Sequence, residues 1–141
     1  MEIPVVCNPL VFTEAQRDRH FDLSKDVLLR WPQSRAELPD GYLFSYQGDE
    51  ERFRTLAGWA AAEHVCCPWA TYSVELGPSS NGVAAIRVRV VGTAEGKAFL
   101  TAAYRYLAEL EAGGAAPPPA LLAQSITREA IPAGSVKRCG C

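Results

Sequence analysis

Thr71-Tyr72-Ser73-Val74-Glu75-Leu76 and Val83-Ala84-Ala85-Ile86-Arg87-Val88-Arg89-Val90-Val91 are two alternating runs joined by Gly77-Pro78-Ser79-Ser80-Asn81-Gly82. The first puts Tyr72, Val74 and Leu76 on one face. The second puts Ala84, Ile86, Val88 and Val90 on one face and Arg87 and Arg89 on the other. Alternation with period two is the signature of a half-buried strand, and Asn-Gly between strands is a strong hairpin signal. An antiparallel sheet with one covered face follows.

The surrounding segments supply its cover. Thr13-Glu14-Ala15-Gln16 reads as a capping box that opens a helix, and Pro32 stops it after Trp31. Its stripe is His20, Phe21, Ser24, Val27, Leu28 and Trp31, so His20 is expected at the interior edge. Pro39-Asp40-Gly41 is a turn, and Tyr42–Gln47 alternates as a strand. Asp49 caps a second helix, with Glu50 and Glu51 in its first turn. Phe53, Leu56, Ala57, Ala60, His64 and Cys67 share one face of it, and Cys66 falls on the flank with Trp59 and Glu63. Thr93 caps a third helix with a stripe of Phe99, Ala103, Tyr106, Leu107 and Leu110.

The expected fold is therefore α+β. It has a small three- or four-stranded, largely antiparallel sheet with helices packed on one face, in the order α-β-α-β-β-α. Three strands leave a thin sheet, whose edge can be closed by Ile3–Val6 or by a second subunit in a homodimer. Residues 1–111 form the domain. Residues 112–120 are a Gly/Ala/Pro linker, and residues 121–141 are a flexible tail ending in Cys-Gly-Cys.

Composition narrows the function classes. Hydrophobic residues make up 48% of the 141 and charged residues 21%, as in a globular domain. No apolar run approaches the roughly 20 residues that span a bilayer, and the first residues lack a secretory pattern. No membrane partner and a cytoplasmic location are expected. Residues 1–120 hold 11 basic and 15 acidic side chains, so no basic face invites nucleic acid. Five cysteines, an odd number, argue against a complete disulfide framework.

The chemistry concentrates in Glu63-His64-Val65-Cys66-Cys67-Pro68-Trp69. Thiolates and imidazoles select zinc, copper(I) and softer ions. Cys66 and Cys67 are the leading ligands and His64 assists, being i, i+3 to Cys67. Cys139 and Cys141 form a two-thiolate arm, and Cys7 and His20 are candidates to complete the site. The partner is a metal ion, zinc or softer, or a small thiol-reactive ligand.

Two other readings compete. In a thiol redox enzyme, Cys66 or Cys67 is the nucleophile and a tail cysteine resolves. Both thiols then sit at a helix C-terminus, where the dipole disfavours a thiolate unless protonated His64, Arg87 or Arg89 offsets it. A Cys66–Cys67 bridge is strained, because adjacent Cα atoms are about 3.8 Å apart against the usual range of roughly 4.4–6.8 Å. In an interaction domain, the cysteines are packing residues.

From about Thr13 to Leu107 the chain resembles a family of small uncharacterised bacterial proteins with a Glu-x-x-Cys-Cys-Pro-aromatic motif. The resemblance rests on Leu38-Pro39-Asp40-Gly41-Tyr42, on Glu63 with Cys66-Cys67-Pro68-Trp69, and on Thr93-Ala94-Glu95-Gly96-Lys97-Ala98-Phe99-Leu100. Gly92-Thr93 stands where the family usually has Gly-Pro. The resemblance implies a shared fold and points to Cys66, Cys67 and Glu63. It implies no reaction.

Overall fold

The computed structural model describes residues 3–114. A single 3-10 turn, Pro9–Val11, leads into α1 (Glu14–Lys25). Thr13 and Gln16 make the reciprocal capping box that the sequence predicts. The helix continues as a π-helical turn over Asp26–Arg30, closed by Trp31 N–H donating to the Asp26 carbonyl at 2.8 Å.

A strand not expected from the sequence follows: β1 (Ser34–Leu38), paired antiparallel with β2 (Gly41–Gly48). It escapes periodicity because it is an outer strand whose residues are nearly all exposed. Then come α2 (Glu50–Cys66), β3 (Thr71–Ser80), β4 (Val83–Val91) and α3 (Ala94–Glu111). The order is α-β-β-α-β-β-α, and the four-stranded antiparallel sheet runs β1-β2-β4-β3. The fourth strand is thus Ser34–Leu38 and not Ile3–Val6. β3 extends through Gly77-Pro78 by an irregularity between Leu76 and Ser79. Proline is tolerated there because β3 is an edge. Asn81 and Gly82 both have positive φ, 56° and 77°, as a two-residue I′ hairpin requires.

The sheet buries one face. Tyr42, Phe44 and Tyr46 of β2 and Ile86, Val88 and Val90 of β4 pack beneath the helices with Leu56, Trp59, Leu100, Tyr104 and Leu107. Two buried polar contacts tie α1 to this core. Tyr46 donates to the Val27 carbonyl at 2.7 Å. Trp59 Nε1 donates to Ser24 Oγ at 2.9 Å, and that hydroxyl donates to the His20 carbonyl. The polar Ser24 in the predicted stripe is thereby accounted for. Arg87 and Arg89 lie exposed on the opposite face, so strand alternation carries them away from the helices and from the cysteines.

Gly41 sits where β1 turns into β2. A Cβ there would meet the Val90 carbonyl oxygen at 1.9 Å, because the strands cross closely at the Pro39-Asp40 turn. Gly41→Ala is expected to cost more than about 2 kcal/mol, measured by thermal or urea unfolding.

Burial raises the phenol pKa of Tyr46, Tyr72 and Tyr104, and the charge of Glu63 adds to the rise at the last two. A phenol raised in the folded state leaves stability intact below the unfolded value of about 10 and erodes it as pH rises further. A jump to about pH 11 should give tyrosinate absorbance at least three short of the five tyrosines, with the remainder appearing as the chain unfolds.

Candidate functional site: a three-cysteine cleft

The site is built where α2 ends. Cys66 is the last helical residue and Cys67 is the C-cap, with φ −122° and ψ 69°. Its N–H still bonds the Glu63 carbonyl at 2.7 Å. Pro68 cannot continue the ladder, and the chain turns back, with Ala70 N–H on the Cys67 carbonyl. The turn aims Cys67 inward and leaves Cys66 half-buried.

Residues ahead of α1 close over this turn. Asn8 N–H donates to the Cys66 carbonyl at 3.3 Å, and Trp69 Nε1 donates to the Val6 carbonyl at 3.0 Å. Cys7 and Cys67 are joined by a disulfide, with Cα atoms 4.8 Å apart, inside the usual span. The bond is buried with Val5, Val11 and Phe99 in a second small core. Trp69 stacks edge-on against Phe99, centroids 5.4 Å apart. Its ring also lies against Gly96, where a Cβ would approach to 2.8 Å.

The Sγ atoms of Cys7, Cys66 and Cys67 lie within 4.8 Å of one another. That spacing suits one soft ion held by several thiolates. Cys7 and Cys67 share the disulfide, a pairing that no sequence argument raised.

A cleft of about 440 Å³ opens beside the cluster. Phe12, Phe99, Leu100, Ala103, Tyr104 and Leu107 supply much of its wall. His20 and Glu63 enter it from α1 and α2, with His20 Nε2 2.6 Å from Glu63 Oε1. Both are partly buried, with side-chain exposures of 14% and 21%. His20 thus reaches the cleft as its stripe position predicts. It pairs with Glu63 and stays outside the thiol cluster.

His64 does not join this site. It is exposed and lines an open groove between α2 and β3, its ring 6.2 Å from that of Tyr72. The large Trp59 ring, bonded to Ser24, turns α2 so that Leu56, Trp59 and Ala60 face inward. The buried face is therefore rotated toward the flank carrying Glu63 and Cys66, and His64 swings out. Cys139 and Cys141 lie outside the described residues, as does most of the expected linker and all of the expected tail. No described helix is long and apolar enough to cross a membrane. The chain matches no family model, no curated protein and no solved structure.

The disulfide closes a loop across a sequence separation of 60. Chain-entropy arguments assign such a link roughly 4 kcal/mol. Dithiothreitol should lower the melting temperature of the oxidised protein, and Cys7→Ser should melt like the reduced wild type under both conditions.

Proposed function

We propose that the reduced protein binds a soft metal ion or metalloid through Cys7, Cys66 and Cys67, and that the Cys7–Cys67 disulfide is the closed form of the same site. The convergence of three Sγ atoms within 4.8 Å carries this reading. One feature supports it: the turn at Pro68 brings Cys66 and Cys67, at the end of α2, against Cys7 of the N-terminal segment. In this reading His64 drops out of the ligand set, and His20 acts with Glu63 in the cleft. The tail thiols Cys139 and Cys141 remain candidates to deliver or receive the ion.

The test uses anaerobically reduced full chain carrying Cys139→Ser and Cys141→Ser. Zinc(II) or mercury(II) is titrated and the protected thiols are counted. One equivalent should protect three thiols, and Cys66→Ser should weaken binding at least about tenfold. Retention of the ion by the variant with all three cluster cysteines replaced by serine rejects the proposal.

The disulfide favours one further reading, a thiol redox centre. In it Cys7 is the resolving partner of Cys67, in place of a tail cysteine. This reading expects turnover of a disulfide substrate that Cys67→Ser abolishes, with no thiol protection by metal. Against it stands the dipole at the α2 C-terminus, which disfavours a free thiolate, uncompensated by a bound cation, at Cys66 or Cys67.

A further inference from the structure

We infer that the ligand is a soft metal or metalloid bearing one apolar organic substituent, with the metal end on the cysteines and the substituent in the adjoining cleft. This deepens the proposed metal-binding function and rests on it. A bare ion needs only its donor atoms, and the three sulfurs meet that need by themselves. The cleft beside them has about 440 Å³, within the range of roughly 300–1,000 Å³ typical of small-molecule sites.

α3 supplies an apolar wall with Phe99, Leu100, Ala103 and Leu107, and Phe12 also lines the cleft. Ala103 packs directly against the small core that holds Cys7 and Cys67. An aryl or alkyl group attached to a thiol-bound atom would therefore meet apolar surface on leaving the sulfurs. Such surface contributes binding in proportion to the area it removes from water. A hydrated ion or an inorganic oxyanion gains nothing from that wall.

Phenylarsine oxide and arsenite are suitable probes. The hydrated aryl compound exchanges two As–O bonds for two As–S bonds. Each thiol proton leaves with a hydroxide as water, and arsenic stays trivalent. Arsenite exchanges three such bonds and releases three waters. Neither reaction needs an oxidant or reductant once the disulfide is reduced.

The experiment uses reduced full chain with Cys139→Ser and Cys141→Ser, and measures both affinities by competition against free dithiothreitol. Phenylarsine oxide should consume two thiols and arsenite three. The preference for the aryl compound should exceed that of dithiothreitol by at least about tenfold. Ala103→Phe, which fills the cleft beside the cysteines, should remove this excess and leave arsenite binding within about twofold. An aryl preference equal to that of dithiothreitol, or one that survives Ala103→Phe, overturns the inference and leaves metal binding standing. Failure of both arsenicals to consume thiols in the reduced protein overturns the underlying reading instead. Nuclear Overhauser contacts from the bound phenyl ring to the Leu100, Ala103 and Leu107 methyls provide a test independent of the variant. Their absence is equally decisive against the inference.

Discussion

The end of α2 is the constraint on which the site depends. A helix must stop at Cys66, because Pro68 offers no N–H and its ring excludes another turn. The reversal that follows places Cys67 against Cys7 and Trp69 against the start of α3. Three separate pieces of chain meet there. The N-terminal segment is held through the disulfide, through Asn8 on the Cys66 carbonyl and through Trp69 on Val6. The two hydrogen bonds are individually modest. Together with the disulfide they organise a small second core that the sheet does not reach.

The same junction explains why a polar cleft wall survives next to an apolar one. α1 crosses α2 and shares the Ser24–Trp59 bond, which sets the rotation of both helices. His20 and Glu63 then face each other at 2.6 Å. The pair satisfies two partly buried polar groups mutually, as such groups require. α3 contributes apolar surface to the same cleft, because Phe99, Ala103 and Leu107 recur at helical spacing along one side. The cysteine cluster and the apolar cleft lie next to each other because three helices converge on one turn.

Much of this architecture was legible in the sequence because its signals are local. The Thr13–Gln16 capping box, the Asp49 and Thr93 caps, the Asn81-Gly82 turn and the alternation of β4 each involve neighbours within a few residues. β1 was missed because an exposed outer strand has no face to bury and so no alternation to read. His64 was misplaced because helical spacing fixes which residues share a face, and it leaves open which face turns inward.

The sequence by itself determined the α+β class, the element ends near Pro32 and Pro68, and the pair of thiols at the end of α2, Cys66 and Cys67. It also nominated Cys7 and His20. Tertiary structure alone decided that Cys7 lies against Cys67 across a separation of 60 residues, that Glu63 meets His20, and that His64 stands apart. The physical reason is the same in each case. Backbone hydrogen bonding and side-chain period act over a few residues, whereas these choices depend on how large side chains such as Trp59 and Trp69 fill the space between elements.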